Sequence, residues 1–443
     1  MMTDPSKTID ASPTKDFFIR MLVMDVPLIT VIPDLVDNCV DGARRIRGDA
    51  DFEGLWVRIE LDKDLFRIAD NCGGISVELA RRYAFRFGRD KDMPGELQVP
   101  HPRGRFGIGM KRALFKMGRK FRIESTTERT HFVIDEDVEQ WEEKEEEHWT
   151  FEFQDVNENL SEPPSPDERR TTIEVTSLHE SVAEDFVLDN FKSRLKAELE
   201  AKQRDSIDKG LVITLNGIPL QVRALKLLQS DELLPGLNEF SFQPNGQLEV
   251  DVKVYAGVSE SMPADCGWHV FCNGRLILEA DKEWTTGWGD GNPRYHPQYN
   301  RFRGFAFFDS DDATGLPWKT TKDGVDADSP VFRKARLKMI EMMRPVIDFL
   351  NDLDAEKDLP DGSERALEAA VEAARLVELA EIQTAPTFLV RPKPAPRQPA
   401  MTTISYLRPK EKVERVKEVL EAGSNKQVGE YTFDYFFEAE CED

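Results

Sequence analysis

The sequence predicts an α/β (α+β) protein with a helical, linker-bearing tail, and three observations predict it. Over residues 1–182 the periodicities run helix, hairpin, helix, loop, helix and then several strands. That is the order of an α/β sandwich, a largely antiparallel sheet with helices on one face. A composition change near Ser181 opens a second α/β segment. A stretch at 386–399 holds five prolines and reads as a linker. The chain thus divides into 1–182, 183–353 and 354–443, the last made of a helix, the linker and a tail.

Taken in order, residues 17–43 read as helical, broken near Pro27 and again at Pro33. Pro33 suits the first turn of a helix through Leu35, Val36, Cys39 and Val40. Residues 55–61 and 65–69 alternate as a hairpin around Asp62, Lys63 and Asp64. A helix is expected at 77–85, a polar segment at 88–104 and a second helix at 107–117. Strands follow at 121–125, 131–135, 149–154 and 172–176. In the second segment a charged helix (184–202) leads to strands at 211–215, 248–255 and 267–271, and to a helix at 330–353. Beyond it, 363–382 is rich in alanine and glutamate and reads as helix, and 409–422 as a short charged one. The aromatic run at 431–437 either packs on the body or serves as a docking element.

With 443 residues the chain has room for two or three domains with sizeable cores. No apolar run approaches the roughly 20 residues of a membrane span, and Met1 to Thr14 lacks the apolar centre of a secretory signal. Cys39, Cys72, Cys266, Cys272 and Cys441 form no paired CxxC motif. They fit a reducing compartment, the cytoplasm, without a zinc site. A net charge of −24 argues against wholesale nucleic-acid wrapping. One basic run stands out: Arg103, Arg105, Lys111, Arg112, Lys116, Arg119, Lys120 and Arg122. It reads as phosphate binding plus solvated helix surface, with DNA contact as the sharper alternative.

Three motifs carry chemistry: D-L-V-D-N at 34–38, D-N-C-G-G at 70–74 and G-R-F-G-I-G at 104–109. On a helix, Asp34 and Asn38 share a face, with Asp41 nearby. An amide oxygen such as that of Asn38 can ligate Mg2+, and a carboxylate one turn away can orient or deprotonate an attacking water. Alone, the pentapeptide fits a charged amphipathic helix better than a ligand site. Asp70 ends a strand, where a buried carboxylate can accept a hydrogen bond from an exocyclic amine. The glycines beside it, Gly73 and Gly74 before Ile75, let the backbone approach a flat base. Gly104, Gly107 and Gly109 precede a helix, and such turns bind phosphate through backbone N–H groups and the helix dipole, with Lys111 or Arg105 able to add charge.

The ordered set resembles the GHKL ATPase superfamily: gyrase B, Hsp90-type chaperones, histidine kinases, MutL and MORC proteins. D-L-V-D-N-C-V-D-G-A resembles its first box, D-N-C-G-G-I its second and G-R-F-G-I-G-M-K its third. R-T-T-I-E-V at 170–175 resembles the strand whose threonine, here Thr171, joins the adenine-side network. I-T-L-N-G and F-C-N-G-R-L-I (271–277) resemble the S5-like transducer of MutL-type members. L-P-W-K-T-T-K-D (316–323) resembles the loop that sends a basic residue, here Lys322, to the γ-phosphate. The resemblance covers about residues 15–350. It implies an ATP-binding domain at 1–182 and a transducer-like domain at 183–353. ATP and Mg2+ are the implied ligands, with Asn38 on the metal, Asp70 on adenine, and Arg105, Phe106, Gly107, Ile108 and Gly109 at the phosphates. The segment 84–106 would be the lid, with Arg86, Arg89 and Lys91 as phosphate sensors.

Two departures bear on turnover. The usual catalytic glutamate is Asp34, one methylene shorter, and Cys72 replaces the first glycine of the second box. One reading is therefore a slow ATPase acting as an ATP-gated switch, with lid closure and ATP-dependent homodimerisation, in a DNA transaction or defence-type complex. The other is a non-hydrolysing nucleotide-sensing scaffold that recruits an effector protein through its tail. The six histidines lie in no phosphoacceptor pattern, which disfavours a histidine kinase.

Overall fold

The computed structural model describes residues 14–24, 26–88, 98–104, 107–144, 149–243, 249–360, 363–391 and 404–441. The first long helix, α1 (Leu28–Arg47), buries Leu28, Val31, Ile32, Leu35, Val36, Cys39, Val40 and Ala43. That spacing is one continuous helical stripe. Pro33, expected in the first turn, lies inside this helix, which begins five residues earlier after Pro27. An interior proline costs about 3 kcal/mol. Burying Leu28, Val31 and Ile32, at about 1.5–3 kcal/mol each, outweighs it.

The hairpin is as expected: β1 (Trp56–Leu61) and β2 (Phe66–Asp70) pair antiparallel, closed by Asp62 N–H on the Leu65 carbonyl at 2.8 Å. Alternation along β2 puts Phe66, Ile68 and Asp70 on the buried face. A carboxylate thus enters the core simply because it continues an apolar period-two pattern. The expected helix at 77–85 is one short turn (Val77–Leu79) running into a wider one (Ala80–Ala84). Next come α2 (Gly109–Met117), β3 (Gly118–Thr126), β4 (His131–Asp137), β5 (Phe153–Asn157) and β6 (Thr171–Leu178).

Helix α3 (Asp189–Lys202) follows, then β7 (Val212–Leu215) and β8 (Ile218–Pro219). The eight strands form one sheet in the order β5-β4-β3-β6-β2-β1-β7-β8. The strand at 211–215 was expected in the second segment. It instead joins the first sheet, parallel to β1, and every other pairing in this sheet is antiparallel. Phe186, Phe191, Leu195, Leu199, Ile213 and Leu215 belong to the first core, which the sequence could not show because burial partners are not written locally.

The second sheet follows β9 (Lys226–Gln229) and β10 (Leu233–Leu234). It is built from β11 (Gly236–Phe242), β12 (Val250–Val258), β13 (Gly267–Cys272), β14 (Arg275–Asp281) and β15 (Phe302–Asp309), in the order β11-β12-β15-β13-β14. Helix α4 (Pro330–Ala355) covers it with Phe332, Met339, Met343 and Val346. The helix expected at 363–382 is limited to Ala366–Ala373. Residues Arg375–Glu378 form β16 on β9, and Leu389–Val390 form β17 on β10. Cross-strand pairing of Leu376 and Val377 overrides the local helix preference there.

The chain splits into two units, Met1–Ala395 and Pro396–Asp443. The second, taken by itself, has helices α5 (Lys410–Val419) and α6 (Asn425–Glu440), the latter opened by a Ser424–Gln427 capping box. Tyr431, Phe433, Tyr435, Phe436 and Phe437 lie on α6 and are exposed. Among the described residues no helix is long and apolar enough to cross a membrane.

The first core predicts a truncation result. A chain ended after residue 182 loses Phe186, Leu195, Leu199, Ile213 and Leu215 from that core. It should show no cooperative thermal transition by circular dichroism, whereas a chain ended after residue 222 should retain one.

Candidate functional site

A cavity of about 220 Å³ opens between α1, the end of β2, the turn into α2 and the loop around Lys322. Asp34, Asn38, Asp41, Asp70, Gly74, Ile75, Gly107, Ile108, Gly109, Lys111, Thr171 and Lys322 all line it. Arg105 and Phe106 lie outside the described residues, as do Arg89 and Lys91 of the expected lid.

Asp70 forms the floor. Its strand register sets it opposite Thr171, whose Oγ1 lies 3.0 Å from Ser125 Oγ. Ser125 Oγ also accepts the Ile75 N–H at 2.7 Å, so it ties the second motif to the threonine strand. Burial raises the Asp70 carboxyl to about 6, against the lowering effect of the Cys72 N–H it accepts and of the Cys39 and Cys72 thiols. Gly74 has φ +71°, and a Cβ there would stand 2.2 Å from the Thr126 carbonyl oxygen. Gly42 is as constrained: its Cβ would meet the Cys72 carbonyl at 2.8 Å. Cys72, the departure in the second box, is thus seated against the helix that carries the first.

On α1, Asn38 is exposed while its neighbours are buried, and its amide makes no hydrogen bond among the described residues. Asp41 is different from expectation. Its two oxygens accept the Arg103 and Gly104 N–H groups, each at 2.9 Å, so it anchors the start of the glycine-rich turn. At the other end of that turn Gly107 has φ +65°, and α2 begins at Gly109, close to the Asp34 carboxylate.

Lys111 is also redirected. Its ammonium donates to the carbonyls of Ala84 (3.2 Å), Arg86 (2.6 Å) and Gly107, and lies 5.6 Å from the Phe87 ring centre. With carbonyls as partners, burial lowers it to about 7. It joins the chain at Ala84 and Arg86 to Gly107 while also lining the cavity.

Asp34 sits among cations. Arg112 Nη2 reaches its Oδ2 at 2.9 Å, and Arg275 Nη1 its Oδ1 at 3.1 Å, with Lys322 Nζ at 3.6 Å. Burial would raise this carboxyl, but Lys322, Arg275 and Arg112 together hold it below the usual range. Asp37, one turn on and wholly buried, accepts from Lys322 Nζ at 2.8 Å, from Gln203 Nε2 at 3.1 Å and from Arg275 Nη1. Asp37, Arg275 and Ser125 were missed in the sequence, and Arg112 was read only as one cation of a basic run. Asp37 lies within D-L-V-D-N, three residues after Asp34, and Arg275 within F-C-N-G-R-L-I, so position alone could have nominated both.

Residues 27–162 match the family model described as histidine kinase-, DNA gyrase B-, and HSP90-like ATPase. This segment is a GHKL-type domain. No curated protein matches the chain. GHKL domains bind ATP with Mg2+, and the donor set here fits such an ion. Mg2+ needs hard oxygen ligands and takes most of them from phosphate and water. The Asn38 amide facing the GHKL cavity can supply one.

Among the described residues, the cations of the basic run are buried or paired within the chain. Arg103, Lys111 and Arg112 are buried, while Arg119, Lys120 and Arg122 pair with Glu139, Asp137 and Glu124.

Asp70 yields a pH prediction. Its folded pKa, about 6, lies above the ordinary value of 3.8. The native state therefore binds the extra proton, and stability falls as pH rises from about 4 through 6. Asp70→Asn should thus be more stable than wild type at pH 7.5, by up to about 3 kcal/mol. The gain should vanish near pH 4, as read by thermal melts at both pH values.

Proposed function

We propose that the protein is a Mg2+-dependent ATP switch that hydrolyses ATP slowly. The observation that carries this reading is Lys322. It is supplied by the loop after the second sheet, yet lines the cavity of the GHKL domain with its ammonium between Asp34 and Asp37. A γ-phosphate entering there would draw that ammonium and so couple the second sheet to nucleotide state. In this reading Asp70 accepts from the adenine amine with Thr171 and Ser125 behind it. The N–H groups at the start of α2 receive the phosphates. Asn38 holds Mg2+, which when bound offsets phosphate charge.

For turnover, water attacks the γ-phosphorus as the bond to the ADP oxygen breaks. Asp34 orients that water and takes its proton. Its role is limited by its surroundings, because a carboxylate held below the usual range by three cations is a weak base. Slow turnover follows from that. The setting we propose is a complex in which nucleotide-driven closing, with pairing of two copies, is read by a partner, a DNA transaction or a defence assembly.

One observation favours the second reading, a nucleotide-gated scaffold. Both Asp34 oxygens are already engaged by Arg112 and Arg275. The exposed aromatic face of α6 would then be the element that recruits an effector.

Steady-state hydrolysis with Mg2+ separates the two. The switch predicts turnover that falls about 100-fold or more in Asp34→Asn. Lys322→Ala should still bind ATP but hydrolyse it more slowly. ATP binding without turnover in the wild-type protein would favour the scaffold.

A further inference from the structure

We propose that Asp37 is the positioning residue that sets discrimination between ATP and ADP, by seating Lys322 until a γ-phosphate takes it. The inference rests on the switch reading above and names the group against which the γ-phosphate competes.

Asp37 is buried to 0% exposure and, unlike its neighbour Asn38, does not face the cavity. Its partners come from four separate segments. Lys322 comes from the loop after the second sheet and Arg275 from the start of β14. Gln203 follows α3, and Arg103, with Nη1 at 3.7 Å, closes the lid segment. Lys322 stands nearer Asp37 (2.8 Å) than Asp34 (3.6 Å), so Asp37 is its principal seat. The loop is set for this contact: Lys322 has φ +52°, an uncommon conformation for a side-chain-bearing residue, and its N–H donates to the Lys319 carbonyl at 3.0 Å.

The balance of charge makes the seat releasable. When Lys322 leaves, Asp37 keeps Arg275, Arg103 and the Gln203 amide, so no buried anion is stranded. Arg275 holds Nε and Nη2 without hydrogen-bond partners among the described residues, which leaves it donors to spare. Lys322, for its part, is buried and drawn down to about 8, chiefly by desolvation, so its ammonium gains from any additional anion. ATP brings that anion as its γ-phosphate, and ADP does not. The apparent affinity for ATP is therefore reduced by the fraction of protein in which Asp37 retains Lys322, while that for ADP is not.

The test is the ratio of ADP to ATP dissociation constants, measured by calorimetry with Mg2+ on the full chain. In Asp37→Asn the ratio should rise about tenfold, the scale of losing one charge-assisted hydrogen bond. The change should come from tighter ATP binding with ADP little changed. A purely structural role would move both nucleotides together. In a Lys322→Ala background the same substitution should leave the ratio unchanged. A folded Asp37→Asn protein with the wild-type ratio overturns the inference, as does an equal shift without Lys322. Should Asp37→Asn fail to melt cooperatively, acetylation of Lys322 in the wild-type protein decides. Its rate should differ between ATP and ADP, and equal rates overturn the proposal. Wild-type protein that binds neither nucleotide ends the switch reading itself, whereas ATP binding with an unchanged ratio ends only this inference.

Discussion

Two buried carboxylates facing four cations organise this molecule. Asp34 and Asp37 on α1 meet Arg112 from α2, Arg103 at the end of the lid segment, and Arg275 and Lys322 from the second sheet and its loop. Such clusters add little net stability, because desolvation of each ion offsets the attraction gained. Removing one partner is nonetheless expensive, about 3–5 kcal/mol, because it leaves an uncompensated charge. The cluster therefore acts mainly by specifying arrangement. It fixes where the second sheet stands relative to the cavity, and it does so through groups that a phosphate can rearrange.

The same logic runs along the turn Asn273–Arg275. Asn273 accepts from Arg44 (3.1 Å) and Arg103 (3.2 Å) through its carbonyl and donates to the Pro102 and Ser310 carbonyls at 2.9 and 3.0 Å. Gly274 has φ +72°, which strains any side-chain-bearing residue, and a Cβ there would stand 2.2 Å from Asp205 Oδ2 and displace that carboxylate. The end of the lid segment is thus gripped by the hairpin of the second sheet, within the same unit as the cavity. Residues 102 and 103 are joined to the turn between β13 and β14 by two of these hydrogen bonds, Arg103 Nε to the Asn273 carbonyl and Asn273 Nδ2 to the Pro102 carbonyl.

What the sequence made legible was local. The hairpin at Asp62 to Asp64, the helix after Gly109 and the strand bearing Thr171 each follow from a short-range pattern, and all three motifs meet in one cavity. What it concealed depends on distant partners. Val212–Leu215 reads like any strand, and only the parallel edge of β1 shows where it belongs. Pro33 reads as a helix start, yet the burial of Leu28 and Ile32 extends the helix through it. Asp41 and Lys111 line the cavity as expected, but the backbone groups they also meet, two N–H groups and three carbonyls, depend on the path of the chain. The basic run divides for the same reason: composition counts all of its cations alike, whereas the fold buries Arg103 and Arg112 and leaves Arg119 and Lys120 exposed.

Lys111 extends the argument to the lid. A buried ammonium with carbonyl partners is costly, and its lowering to about 7 expresses that cost. The fold accepts it at the first turn of α2, where the helix dipole also opposes a cation. Three carbonyls, from Ala84, Arg86 and Gly107, converge on the ammonium from both flanks of the lid segment. The flanks are joined through a group that is near its own titration point, so the tie is weaker than a carboxylate pair would make it. Around it, Phe87 stacks with Phe115 and Trp141 at 6.4 and 6.1 Å, so the apolar packing that fixes the base of the lid also excludes the water that would solvate Lys111.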